Sequence, residues 1–230
     1  MGRLVALVAS KSFQGGHFLS MSPNHCNDGV NLTHQKIALI GLGYVDLPLA
    51  TEFCKQRSVL GFDINTARIA DLQSVRASTL EVSPEEFASA RQLSFSCDPA
   101  NLKNCQILIV TVPTSVDKAN RPDLTPLVKA SETVGRALTE GSPVIFESTV
   151  SPGATEEVCV PVLEKSSGKK FNVGLFCGFS PERINPGDKF NTLIRIKKIT
   201  SGSTNSRQSL TPERKCLSAM KWRDKWLAYP

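Results

Sequence analysis

Histidine is missing from residues 36–203 of this 230-residue chain; its three copies, His17, His25 and His34, all come earlier. A histidine-based catalytic triad within 36–203 is therefore excluded. Paired cysteine spacing is missing as well. The seven cysteines, at 26, 54, 97, 105, 159, 177 and 216, are odd in number and contain no C-x-x-C. They read as reduced thiols of a cytoplasmic protein, not as a disulfide frame or a zinc site, and no metal is expected. No apolar run reaches the roughly 18 residues that a membrane-spanning helix needs, so no membrane partner is expected. Glycine and proline, at 15 and 14 copies, are too sparse for a collagen or a low-complexity chain. With 40% hydrophobic residues, the length suffices to bury one sizeable core.

The formal net charge is +6, and it is unevenly spread. Residues 205–230 hold six Lys/Arg against Glu213 and Asp224, a net of +4, together with both tryptophans, Trp222 and Trp226. Residues 1–35 hold Arg3 and Lys11 against Asp28, a net of +1, which leaves +1 for everything between. A near-neutral body is poor ground for nucleic-acid binding, and none is expected; a basic tail binding an anionic polymer is the weaker alternative. The apolar run at 4–9 is six residues, short of the roughly 7–15 of a signal-peptide core. Residues 1–35 read as a disordered leader, with Met21 an alternative start. Three domains are expected: the leader 1–35, a body 36–204, and a basic tail 205–230 of different character, with weak helical pattern.

Within the body, short apolar runs alternate with helical stretches. Strands are expected at 36–41, 58–62, 93–97, 106–113, 143–147, 172–178 and 193–200. Helices are expected at 44–56, at 65–75 with Asn65 as N-cap, and at 83–92, where Ser83 and Glu86 form a capping box. A fourth spans 124–138, with Leu127, Ala130, Val134 and Leu138 along one face. A fifth spans 153–166, where Pro161 must kink or interrupt it. This order implies an α/β fold of Rossmann type: a doubly wound, mostly parallel sheet with helices on both faces.

Three motifs carry chemistry. The first, Gly41-Leu42-Gly43-Tyr44-Val45-Asp46, leaves a strand and opens a helix, as the dinucleotide fingerprint requires. Gly41 permits a tight turn, and Gly43 lets backbone approach a pyrophosphate at a helix N-terminus. Asp63 follows Gly43 by 20 residues, where a carboxylate accepts hydrogen bonds from an adenosine ribose and repels a 2′-phosphate, favouring NAD over NADP. The plainer reading is a structural glycine turn with a solvated acid at a strand end. Asp46 replaces the fingerprint's third glycine. At roughly 5 Å and an effective dielectric near 20, a like-charge pair costs about 3 kcal/mol, so Asp46 is expected to weaken cofactor binding unless it points away into the helix dipole. The second motif is Thr111-Val112-Pro113-Thr114, echoed by Ser148-Thr149-Val150 after the next strand. Both offer short hydroxyls at strand carboxyl ends, where open parallel sheets bind ligands; ordinary strand-to-helix turns are the alternative. The third is Ser180-Pro181-Glu182-Arg183-Ile184-Asn185-Pro186-Gly187-Asp188, a loop stiffened by proline that either positions a substrate or water, or is a solvated turn.

Together these segments resemble the UDP-glucose/GDP-mannose dehydrogenase family, closest to its UDP-N-acetylhexosamine branch in surface-polysaccharide synthesis. The carriers are KIALIGLGYVDLPLA (36–50), GFDIN (61–65), STLEVSPEE (78–86), TVPT (111–114), RPDLTPL (121–127), ESTVSPGATEE (147–157), SPERINPGDK (180–189) and TSGST (200–204). The resemblance implies a four-electron oxidation of a sugar C6 alcohol to a carboxylate with two NAD, its second step passing through a cysteine thioester. By match to motif, Gly41, Gly43, Tyr44, Val45, Asp63, Thr114 and Thr149 contact NAD, and Glu182 handles the catalytic water or proton. It implies a UDP-N-acetylhexosamine partner and a homodimer in the family. The family's nucleophilic cysteine loop has no counterpart here, Cys216 lying in a dissimilar context. The expectation is a C-terminally truncated member, inactive alone, ending in a frameshifted tail. A non-catalytic NAD-binding remnant is the alternative.

Overall fold

Residues whose neighbours on both sides are apolar cannot present a wet face, and the shortest way to bury such a run is the middle of a covered parallel sheet. The computed structural model, which describes residues 35–43, 46–74, 82–116, 121–181, 199–203 and 227–228, shows that sheet. Its first strands are β1 (Ile37–Ile40), β2 (Val59–Phe62), β3 (Leu93–Ser96) and β4 (Ile107–Val110). A short antiparallel hairpin follows, β5 (Ser115–Val116) with β6 (Pro122–Asp123), which the alternation of apolar runs does not foretell. Then come β7 (Ser142–Phe146), β8 (Leu175–Phe179), β9 (Ile199–Gly202) and the two-residue β10 (Leu227–Ala228). The order across the sheet is β10-β9-β8-β7-β4-β1-β2-β3. All pairings from β3 to β8 are parallel, β9 runs antiparallel to β8, and β10 parallel to β9. The expected strand at 193–200 thus appears as β9, its residues 193–198 lying outside those described. Of the expected tail helix only Leu227 and Ala228 are described, and they are extended, meeting the backbone groups of β9.

The chain winds from β1 outward through β2 to β3, then returns to β4 on the other flank of β1. This is the strand order of the doubly wound dinucleotide-binding sheet, and its reversal leaves a crevice between β1 and β4 at their carboxyl ends. Ile40 pairs with Val110, so Gly41 and Thr111 begin the two departing loops side by side.

Strand side chains alternate between faces. Ala38, Ile40, Leu60, Phe62, Leu108, Val110, Val144 and Phe146 pack against helices α4 (Thr125–Ala137) and α5 (Val160–Ser167). Ile37, Leu39, Val59, Ile107, Ile109 and Ile145 pack against α1 (Asp46–Phe53). Helices therefore cover both faces. The expected stripe of α4, Leu127, Ala130, Val134 and Leu138, is buried throughout.

Helix starts follow their capping residues. Asn65 Oδ1 accepts from the Arg68 N–H to open α2 (Thr66–Gln73). Ser83 and Glu86 exchange both capping-box bonds to open α3 (Pro84–Ser89). Pro161 does not break its helix. A π turn at Thr155–Cys159 runs directly into α5 and widens the ladder just before Pro161, which then sits in the first turn of α5. No helix among the described residues is long and apolar enough to cross a membrane.

Candidate functional site at the β1–β4 crevice

The turn after β1 is shaped by what surrounds it. Gly41 has φ +100°, a conformation a side chain strains, and a Cβ there would lie 3.3 Å from the Val112 backbone nitrogen. Thr111, opening the loop after β4, ties the two loops together: its Oγ1 donates to the carbonyls of Ile40 at 3.0 Å and Gly41 at 3.2 Å. One strand further, Ser148 Oγ donates to the Val112 carbonyl at 2.6 Å. A chain of hydroxyl clamps thus runs from the end of β7 through β4 to the glycine turn. Threonine and serine suit this work because they are short and their hydroxyls can reach backbone from where they stand.

Asp63 closes the other side. Its Oδ2 accepts from the Leu42 N–H at 2.9 Å and its Oδ1 from the Asn65 N–H at 2.8 Å. The acid at the end of β2 therefore fixes the glycine turn. Arg68 Nε donates to the Leu42 carbonyl at 3.2 Å, which sets a guanidinium beside the turn. The Leu42 side chain fits because β2 carries Gly61, where a Cβ would lie 2.9 Å from Leu42 Cδ2.

Asp46 is only 2% exposed, and it faces the turn: its Oδ2 accepts from the Gly43 N–H at 2.9 Å. This is the reach-back that an acid makes in a capping box. Of the two orientations weighed from the sequence, pointing into the turn or away from it, the structure shows the first.

At the carboxyl edge beyond β4 and β8, two hydroxyls, Thr114 Oγ1 and Ser180 Oγ, are buried without a hydrogen-bond partner. A hydroxyl left so costs about 1–3 kcal/mol, which a polar ligand atom or a water at this edge removes. Thr149 stands exposed after β7. Tyr44, Val45 and Glu182 lie outside the described residues. Gly41, Gly43 and Asp63 are thus brought together around one turn, and Thr114 and Thr149 follow the ends of neighbouring strands. Arg68 was given no role by the sequence, since an arginine on a helix reads as a solvated cation; Ser180 was named only as the first residue of the proline-stiffened loop.

Two other features among the described residues lie apart from this crevice's chemistry. A cavity of about 240 Å³ between Pro99, Lys103 and Arg136 contains none of these residues. Burial pushes the thiols of Cys54 and Cys105 up, and that of Cys159 up to about 11, so they stay protonated and unreactive near neutrality. Among the described residues no three His, Cys, Asp or Glu cluster as metal ligands would.

Comparison with known proteins decides the family. Residues 35–217 match the model of the UDP-glucose/GDP-mannose dehydrogenase family, NAD binding domain. The chain belongs to this family. It is 60% identical over 169 residues to the UDP-N-acetyl-D-glucosamine 6-dehydrogenase of Pseudomonas aeruginosa, covering 74% of this chain and 40% of that protein. It is 56% identical over 169 residues to the enzyme of the same name from Salmonella typhi, with the same coverage of each. Among solved structures, the UDP-D-ManNAc dehydrogenase of Pyrococcus horikoshii superposes with a TM-score of 0.70 at 29% identity, covering 84% of this chain and 45% of that one. The chain spans about 40% of the length of the curated relatives it matches. The matched part is the family's NAD-binding domain.

The residues present fit that dinucleotide at the nucleoside end, where Asp63 follows β2 beside the glycine turn. They fit it along the sheet edge, where Gly41 lets the loops after β1 and β4 approach each other and Thr114 Oγ1 lacks a partner. At the diphosphate end the N–H of Gly43 is already engaged by Asp46.

Proposed function

We propose that this chain supplies the NAD-binding lobe for oxidation of the C6 alcohol of a UDP-N-acetylhexosamine to the uronic acid, in polysaccharide synthesis. The names of the relatives at 60% and 56% identity support the substrate class. The observation that carries the cofactor half is the glycine turn at the β1–β4 crevice, locked by Thr111 on one side and Asp63 on the other. When bound, NAD accepts the hydride that leaves the alcohol carbon.

The chain's own residues bind and orient. Asp63 accepts hydrogen bonds from the adenosine ribose hydroxyls, and its charge opposes a 2′-phosphate. The Arg68 guanidinium, held at the Leu42 carbonyl, offsets part of the diphosphate charge. By match to the fingerprint, Gly41, Gly43, Tyr44 and Val45 contact the cofactor, and Thr114 and Thr149 hold it along the sheet edge. Glu182 handles the water or proton of the reaction.

The test is a fluorescence titration with NADH and NADPH. NADH is expected to bind at least about tenfold tighter than NADPH, a difference of about 1.4 kcal/mol, and Asp63→Ala is expected to erase that ratio whatever it does to either affinity. A ratio near one in the parent chain, or one unchanged by Asp63→Ala, contradicts the assignment.

A further inference from the structure

We propose that Asp46 makes the glycine turn of this chain discriminate against the cofactor's diphosphate, its carboxylate taking the place a diphosphate oxygen needs while the nucleoside end of the site stays intact. The inference rests on the cofactor reading above and concerns which part of that ligand the chain accepts.

Three observations place the carboxylate there. Gly43 is the position at which the fingerprint brings backbone against the diphosphate, and its N–H donates to Asp46 Oδ2 at 2.9 Å. The open side of Gly43 is filled by that same oxygen, which would lie 3.2 Å from a Cβ built on the glycine. Asp46 is also 2% exposed and begins the eight-residue α1, so its charge lies at the positive end of the helix dipole, little screened by water. A diphosphate approaching this turn meets an engaged donor, a dipole already compensated and a like charge. The Arg68 guanidinium, bonded to the Leu42 carbonyl of the same turn, opposes this.

The bonds that hold the nucleoside end do not involve Asp46: Asp63 is held by the N–H groups of Leu42 and Asn65. The two halves of the ligand should therefore respond differently to the same substitution.

The experiment measures NADH and adenosine affinity, by fluorescence and by calorimetry, for the parent chain, Asp46→Gly and Asp46→Asn, with thermal unfolding as a check on folding. Asp46→Gly is expected to tighten NADH about tenfold to a hundredfold, the equilibrium equivalent of one charge-assisted hydrogen bond. Adenosine affinity is expected to stay within about twofold, because no phosphate is involved. Asp46→Asn keeps an acceptor for Gly43 but drops the charge, so it is expected to fall between the other two, and it covers the case in which glycine unfolds the helix start. NADH affinity equal in all three proteins, with NADH binding measurable, overturns this inference and leaves the cofactor reading standing. Parallel tightening of adenosine and NADH overturns it too, since that reports a general change in the crevice. Binding of neither ligand by any of the three overturns both.

Discussion

At the scale of single residues, the glycine turn shows how little freedom the site has. Gly41 combines φ +100° with backbone atoms of Thr111 and Val112 within 3.4 Å of where a Cβ would stand. Gly41→Ala is therefore expected to cost about 1–3 kcal/mol, because both the dihedral and the contact with fixed backbone oppose the methyl. Urea unfolding measures this, and the same variant should lose NADH affinity as Thr111 is pushed off the turn. A stability unchanged within about 0.5 kcal/mol would show that the turn can relax. Gly41, Gly43 and Asp63 were legible in the sequence because their spacing after apolar runs is itself the signal. The direction of Asp46 was not: a helix-start acid gains from the dipole in either orientation, and only the position of the Gly43 N–H decides between them. Ser148 was named for its place after a strand, but its bond to the Val112 carbonyl joins residues 36 apart, which no local pattern reveals.

At the scale of elements, local rules held wherever a single residue type was decisive. Asn65 and the Ser83–Glu86 pair mark helix starts because their side chains satisfy backbone N–H groups that have no partner within the helix. Pro161 was legible as a disturbance, but its resolution into a π turn ahead of α5 was not, since no local residue pattern distinguishes a π turn from a kink. The α4–α5 contact is another such case. Gly135 stands within α4, where glycine is a poor helix former, yet a Cβ there would lie 2.6 Å from Ser166 Cβ, an atom fixed by its own backbone. Gly135→Ala gains helix propensity of about 1 kcal/mol and still is expected to destabilise by about 1–3 kcal/mol net, because the two helices must part. Chemical denaturation measures the sign, and a stabilised variant would mean that the helices slide apart at no cost. The β5–β6 hairpin escaped the sequence for a different reason: two-residue strands carry no periodicity to read.

At the scale of the whole molecule, the sheet order was legible in kind. Alternating strand and helix implies right-handed parallel crossovers, and the reversal between β1 and β4 follows from the doubly wound pattern. The antiparallel turn of β9 was not legible, because an apolar run does not state its direction. For the proposed function, the crevice where β1 and β4 part must be where the cofactor lies. Hydrogen–deuterium exchange of the 230-residue chain, with and without saturating NADH, tests this most directly. The account predicts slowed exchange in peptides spanning 41–46, 63–68 and 111–116, and none around the cavity bordered by Pro99, Lys103 and Arg136. Unchanged exchange at the glycine turn under conditions where NADH is bound, or protection centred on that cavity, would contradict it.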